Sequence, residues 1–158
     1  MPSPSVRGIG LTHLCLWDAD GDGVREIAYG TADGWLYVVK PQAGAEVWRY
    51  NLVGEVRGLV LTDEGLLAAS EFGSLYCFDH QGQVRWRVQL SSWIHRLVRS
   101  DQALVLETEK DLLCCDLKGR PAGALPLEHP LRGLWPCPGG VVLALADGPL
   151  RCLDIPAS

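Results

Sequence analysis

The chain has 158 residues, 47% of them hydrophobic, and a formal net charge of −5 at pH 7. This length permits one domain with a substantial apolar core. An acidic chain with scattered arginines does not suit nucleic acid, because phosphate binding needs a concentrated basic surface. No apolar run approaches the roughly 20 residues that cross a bilayer, so no membrane span is predicted.

The N-terminal segment indicates a compartment. Met1–Ser5 contains two prolines and no basic start followed by an apolar run, which a secretory signal requires. We therefore expect a cytoplasmic protein whose six cysteines are reduced and act as small apolar side chains. Their spacing includes no Cys-x-x-Cys pair and does not suit a tetrahedral zinc site.

Four similar units follow one another along the chain. Each is predicted to open with a short strand, at Val6–Ile9, Val56–Leu59, Ile94–Leu97 and Leu131–Leu134. A second apolar run follows in each unit, at 26–30, 66–69, 103–106 and 141–144. The third strand belongs to a motif that recurs at steps of 39, 37 and 38 residues: Gly34–Lys40, Gly73–Asp79, Lys110–Asp116 and Gly148–Asp154.

A turn and a fourth strand follow the first three copies of the motif. The turns contain Gly44, Gly82 and Gly119. Four residues after the first two glycines stands a tryptophan, Trp48 or Trp86, whereas the third unit has Gly123 there. We interpret the two indoles as wedges between neighbouring sheets, because a buried indole removes roughly 200 Å² from water. Lys40 stands where the other copies have aspartate.

The pattern predicts an all-β protein, specifically a β-propeller. Units of about 40 residues with four antiparallel strands are typical of propeller blades. A lone blade exposes two apolar faces, and stacking blades buries both. We predict one domain, residues 1–158, with blades at 6–52, 53–90 and 91–129 and an incomplete fourth blade at 130–158, which is three and a half to four blades.

The repeat also resembles a known family. Leu75–Trp86 resembles the Leu-Tyr-Ala-x-Asp-x-x-Thr-Gly-x-x-x-Trp repeat of quinoprotein-like (PQQ-type) propellers, Val38–Trp48 is a second match and Cys114–Gly119 a weaker one. The resemblance implies the blade type. It covers cofactor-dependent dehydrogenases and also scaffolds, such as outer-membrane assembly subunits. A quinone dehydrogenase needs a tryptophan floor and a carboxylate-held calcium at the axis, which are not recognisable here, so we expect neither bound PQQ nor enzyme activity.

An acidic loop lies in the first unit. Asp18, Asp20, Asp22 and Glu26 occupy relative positions 1, 3, 5 and 9, and the Val24 carbonyl would add a further oxygen. Calcium takes six to eight such oxygen ligands, so the loop predicts a structural Ca²⁺ site. The run resembles the Asp-x-Asp-Gly-Asp-Gly loops of FG-GAP repeats in integrin-type propellers. The alternative is a hairpin turn rich in Asp and Gly, which both favour turns.

A basic belt is predicted on the innermost strands. The repeat places Arg7, Arg57, His95 and Arg132 at equivalent positions in successive units. Facing inward, they would attract a carboxylate, a phosphate or an acidic loop. The alternative is that each arginine pairs with a local acid, such as Glu55 or Glu107, or points to solvent.

The fourth unit ends after its third strand, which bears on function. An apolar blade face and an open strand edge favour pairing with another chain. We therefore predict a non-catalytic scaffold for protein–protein interaction that completes its ring as a homodimer or with a partner propeller; a single small four-bladed ring is the remaining possibility. The alternative function is a quinoprotein-like propeller that binds a small anionic ligand or cofactor through the basic belt.

Overall fold

The computed structural model describes residues 10–146 and 148–155, and every regular element in those ranges is a β-strand. The chain divides into two compact units, each with two of the four sequence repeats: the first unit is Met1–Leu90 and the second unit is Ser91–Ser158. All neighbouring strands within each sheet are antiparallel and follow chain order. The predicted all-β class is confirmed. No helix of the described part is long and apolar enough to cross a membrane.

The first unit contains two four-stranded sheets. The first sheet is formed by β1 (Leu11–Trp17), β2 (Glu26–Thr31), β3 (Trp35–Val39) and β4 (Glu46–Asn51). The second is formed by β5 (Val56–Thr62), β6 (Gly65–Ser70), β7 (Ser74–Phe78) and β8 (Val84–Gln89). Strands β2 and β6 are almost wholly buried, which explains why the residues between their ends carry no charged side chain.

The second unit contains one four-stranded and one three-stranded sheet. The third sheet is formed by β9 (Ile94–Ser100), β10 (Ala103–Thr108), β11 (Asp111–Asp116) and β12 (Pro121–Pro126). The fourth is formed by β13 (Gly133–Cys137), β14 (Gly140–Ala144) and β15 (Leu150–Asp154). Within residues 10–146 and 148–155, β15 has a neighbour on one side only.

The first strand of the first sheet lies elsewhere than predicted. It is Leu11–Trp17, whereas Val6–Ile9 lies outside the described residues. Strand β1 carries the same β-bulge as β5 and β9: the register shifts at Thr12, as it does at Arg57 and His95. The Val-Arg-Gly-Ile pattern at residues 6–9 matches the opening of the other repeats in sequence, but β1 is a different segment and contains no arginine. The position that corresponds to Arg57 is therefore Thr12.

The aspartate of the repeat forms the turn between the third and fourth strands. Asp79 Oδ1 accepts the backbone N–H groups of Gln81 and Gln83, both at 2.9 Å. Asp116 Oδ1 accepts those of Lys118 and Arg120 in the same way. The turn glycines Gly82 and Gly119 have φ of 80° and 75°, a left-handed conformation that other residues rarely adopt.

Trp48 packs between the first and second sheets. Its ring lies 5.4 Å from that of Phe78 on β7 and 6.4 Å from that of Trp17 in an edge-on arrangement. A Cβ at Gly82 would lie 2.6 Å from the Trp48 ring, so the turn approaches the indole closely. Trp48 therefore acts as the predicted wedge within the first unit. Trp86, at the corresponding place on β8, is half-buried.

Apolar packing and the hydrogen bonds of Glu107 and Arg96 to Leu131 join the third and fourth sheets. Val105 and Leu112 of the third sheet share a core with Leu134, Val141 and Leu143 of the fourth. Beside this core the carboxylate of Glu107 is buried. It accepts hydrogen bonds from the Arg96 guanidinium at 2.8 Å and from the Leu131 backbone N–H at 3.2 Å. Both carboxylate oxygens are thus paired, as a buried charge requires.

Candidate functional site

The acidic loop between β1 and β2 brings three aspartates together. Carboxylate oxygens of Asp18, Asp20 and Asp22 lie within 4.8 Å of one another. The loop is closed by its own backbone: Asp18 accepts the N–H groups of Gly21 and Gly23 at 2.8 and 3.1 Å. Asp22 accepts the N–H of Val24 at 2.7 Å. The carboxylates are therefore held by an Asp/Gly-rich turn, whatever cation they take.

A lysine side chain lies among these carboxylates. Lys40 Nζ hydrogen-bonds to Asp20, lies 3.2 Å from Glu26 Oε1 and lies 3.5 Å from Asp22 Oδ2. Glu26 is fully buried, and its other oxygen accepts the backbone N–H of Ala19 at 2.7 Å. Among the residues that the structure describes, Glu26 Oε1 has no hydrogen-bond donor of good geometry, so the nearby Lys40 ammonium group compensates its charge.

The mutual stabilisation of Lys40 and the loop also affects their pKa values. The hydrogen bond from Lys40 lowers the pKa of Asp20 below its ordinary value. Asp20 and then Glu26 raise the pKa of Lys40. Asp20 and Lys40 are therefore both charged across the neutral pH range, and the Lys40 ammonium group is the cation that the loop contacts.

The structure brings three of the predicted calcium ligands together, and the Lys40 ammonium group already contacts some of the predicted ligands. Asp18, Asp20 and Asp22 cluster as predicted, Glu26 points to the same cation, and Val24 is exposed. A calcium ion would have to displace the Lys40 ammonium from Asp20 and Glu26. The sequence signal that could have revealed this is the exchange of the repeat's aspartate for Lys40. Calcium binding and the FG-GAP resemblance stay predictions.

The residues of the predicted basic belt have different surroundings. Arg7 lies outside the described residues. The Arg57 guanidinium is 3.2 Å from Glu55 and 3.5 Å from Glu71, so its charge is balanced locally, as the alternative interpretation expects. His95 is the half-buried bulge residue of β9, and Arg132 is exposed immediately before β13.

The predicted belt did not include Arg96, which is the arginine that pairs with Glu107 in the third sheet. Glu107, considered as a partner for the belt, binds Arg96 instead of Arg132. The Arg132 backbone carbonyl accepts a hydrogen bond from Arg96 at 3.3 Å. A continuous belt stays a prediction, and no contact described here gives it a ligand.

The cysteines are free thiols. Burial raises the pKa of Cys15 and of Cys77 to about 11 and that of Cys115 to about 12. A thiol must ionise to act as a nucleophile or metal ligand, so these three are poorly reactive at neutral pH.

The outward face of the fourth sheet is apolar. We use this name for the face opposite the core shared with the third sheet. Its apolar members are Trp135, Val142, Ala144, Leu150 and Cys152, and Cys137 and Asp154 lie at one end of it. Trp135 is 52% exposed and Leu150 is 66% exposed. The sequence predicts an apolar end face but does not identify its residues, because strand alternation alone does not show which face the neighbouring sheet covers.

Comparisons with known proteins support the architecture. A family model, PQQ_2, described as outer membrane protein assembly factor BamB, matches residues 32–118, which confirms the predicted PQQ-type repeat. A search of curated proteins finds no significant match. Among solved structures, the computationally designed Ika4 protein is similar with a TM-score of 0.80 and 19% identity over 98% of this chain and 96% of its own.

Two natural structures are similar over part of their length. The Neurospora crassa Pan2 WD40 domain has a TM-score of 0.73 and 15% identity over 92% of this chain and 46% of its own. The BBS1N protein in complex with ARL6DN has a TM-score of 0.71 and 18% identity over 91% and 48%. This chain spans about half the length of each. Such low identities show the fold alone, and the predicted β-propeller is confirmed.

Proposed function

We propose that this chain, which belongs to the PQQ_2 family described as outer membrane protein assembly factor BamB, is a non-catalytic β-propeller module for protein–protein contact that associates with a second copy of itself. Similar solved structures include designed proteins, a WD40 domain and a protein in complex with another, which favours a binding role over catalysis. The observation that carries the proposal is the exposed outward face of the fourth sheet.

The outward face has the composition of an interaction surface. Soluble proteins rarely leave a contiguous apolar sheet face in water, and an exposed tryptophan on such a face is typical of an interface anchor. Trp135 lies over Gly133, where even a Cβ would be 2.1 Å from the indole, so the ring is held flat along the sheet. An ordered, flat aromatic surface loses little side-chain entropy when another surface packs on it.

The first sheet exposes a second apolar surface. Leu14 and Leu16 on β1 are 55% and 48% exposed, and both point to the same side of the sheet. We expect the outward face of one copy to pack on this surface of its partner. The chain aligns with nearly the whole of one solved structure and with about half of longer ones, so two copies have about the length of those longer chains.

Light scattering coupled to size exclusion tests the self-association. The wild-type protein is expected at about twice the single-chain mass of 17.2 kDa. Trp135→Glu and Leu14→Glu should each weaken the dimer by about 30-fold or more, because each buries a carboxylate in an apolar contact. Val84→Glu, at an exposed position on β8, is the matched control.

Mixing the variants tests which faces meet. If the outward face packs on β1 of the other copy, one intact contact survives in the mixed pair of Trp135→Glu with Leu14→Glu, and heterodimers reappear. A wild-type mass of 17.2 kDa at all concentrations would contradict self-association. Dimers that survive both substitutions would show that other surfaces mediate it.

A further inference from the structure

A groove runs between the third and fourth sheets beside β15. It encloses about 250 Å³, and its wall is mostly apolar: Leu112, Gly123 and Leu125 from the third sheet and Val141, Leu153 and Ile155 from the fourth. Binding pockets for small molecules are usually about 300–1,000 Å³. This groove is therefore sized for a large side chain of a docked segment, not for a whole cofactor.

The groove exists because an indole is absent from its wall. Gly123 pairs with Cys114 in the register in which Trp48 pairs with Val38 and Trp86 pairs with Cys77. In the first unit Trp48 fills this place against the next sheet. At Gly123 a Cβ would meet no atom within 4 Å. The third sheet thus leaves open a place that an aromatic side chain occupies elsewhere in the fold.

Strand β15 presents an open backbone edge beside the groove. In the first three sheets the last residue of the motif donates its backbone N–H towards the outer strand at 2.8–3.0 Å; the pairs are Lys40 to Ala45, Asp79 to Gln83 and Asp116 to Arg120. The equivalent N–H of Asp154 has no outer strand to meet in the described ranges. Because Ile155 donates to Gly139 on the β14 side, Cys152 and Asp154 direct their N–H groups to the open side.

The side chain at the centre of this edge also lacks its usual counterpart. In the first two sheets a tyrosine of the third strand lies opposite an arginine of the outer strand: Tyr37 opposite Arg49 and Tyr76 opposite Arg87. The Arg87 guanidinium lies 5.2 Å from the Tyr76 ring centre. In the fourth sheet Arg151 stands at the tyrosine position and is exposed. An aromatic residue on an added strand would restore the same contact with the roles exchanged.

We propose that the groove binds an extended segment of another protein, which adds a fourth strand to β15 and places an aromatic side chain in the space beside Gly123. Added strands gain affinity from main-chain hydrogen bonds and specificity from pockets for alternate side chains. The residues outside the described ranges, 1–9, 147 and 156–158, contain no aromatic residue, and Pro2 and Pro4 lack the N–H that pairing needs. None of these residues supplies the aromatic side chain that the space beside Gly123 would take, and we assign the segment to a partner protein. The proposal rests on the interaction role proposed above but uses a different surface.

A peptide with the sequence of Gln83–Gln89 is a suitable probe, because it is an outer strand that contains a tryptophan. To enter the space beside Gly123, its Trp86 must lie opposite Arg151, one residue out of the register in which Trp86 pairs with Cys77 in the second sheet. We expect it to bind, with blocked termini, to the wild-type protein in calorimetry and to slow amide hydrogen exchange at Cys152 and Asp154. A peptide with alanine for Trp86 keeps the charges and should bind about 30-fold more weakly or worse. The protein variant Gly123→Trp should fill the space and lose peptide binding by a similar factor.

The controls separate this proposal from self-association. Gly123 has no left-handed φ and open space at its Cβ, so Gly123→Trp is expected to fold, and its melting curve checks this. Trp135→Glu should dissociate the dimer and leave peptide binding unchanged. Equal binding by Gly123→Trp, or binding without protection of the β15 amides, would overturn the proposal. So would concentration-dependent protection of those amides without peptide, since a second copy would then be the occupant.

Discussion

Replacing Lys40 should turn the acidic loop into a calcium-responsive site. In Lys40→Met the ammonium group is lost, and the buried carboxylate of Glu26 keeps no cation beside it. The clustered aspartate oxygens are at most 4.8 Å apart, which fits around an ion with Ca–O distances of about 2.4 Å. The variant should melt lower than wild type without calcium and recover when calcium is added.

The size of the calcium effect follows from mass action. A loop of this kind with Kd of about 0.1 mM, at 10 mM Ca²⁺, gains about 2.7 kcal/mol of folding free energy. For a domain of this length that corresponds to about 5–10 °C in Tm. Wild type should shift by less than about 1 °C, because calcium must first displace the ammonium from Asp20 and Glu26.

Differential scanning fluorimetry with calcium and with chelator measures these shifts. Lys110→Met, at an exposed lysine outside the loop, is the matched control and should behave as wild type. Equal calcium shifts in wild type and Lys40→Met would refute the reasoning, since the ion would then bind without displacing Lys40. A variant with no calcium response at all would show that the loop is only a turn.

Two further predictions concern stability. Burial lowers the pKa of His13, whose Nδ1–H donates to the Val56 carbonyl, so the unfolded state binds more protons than the folded state below about pH 6.5. The free energy of unfolding should therefore fall as the pH falls below this value. His13→Gln should flatten this part of the plot of unfolding free energy against pH. Trp48→Ala should cost about 3–5 kcal/mol in urea unfolding, because the indole contacts both sheets of the first unit. A loss below about 1 kcal/mol would show that Trp48 is not a wedge.

The turns could be predicted from the sequence more accurately than the start of the first strand, because a turn depends on local contacts. The motif with Asp79 and Asp116 was readable because its turn is local: the carboxylate bonds the backbone two and four residues ahead. The start of β1 was wrong because a strand is recognised by its partner as well as by its own pattern. Leu11–Trp17 is identified by its register with β2 and by its bulge at Thr12, which no local feature indicates.

The candidate sites depended more strongly on distant residues. The acidic loop was visible at Asp18–Glu26, but the cation beside it comes from Lys40, 20 residues beyond Asp20 and on the far side of two strands. The replacement of the repeat's tryptophan by Gly123 was also visible in the sequence. That this replacement leaves a groove depends on how the third sheet packs against the fourth.

Strand order, antiparallel pairing and turn chemistry can be predicted from the amino-acid sequence, because strand alternation and Asp-x-x-Gly turns act over a few residues and the repeat length sets the order. Only the tertiary structure decided which face of the fourth sheet stays in water, which acids Arg57 and Arg96 bind, and that Lys40 neutralises the acidic loop. Burial and charge pairing depend on which surfaces meet in space, and residues far apart in the chain contribute to each.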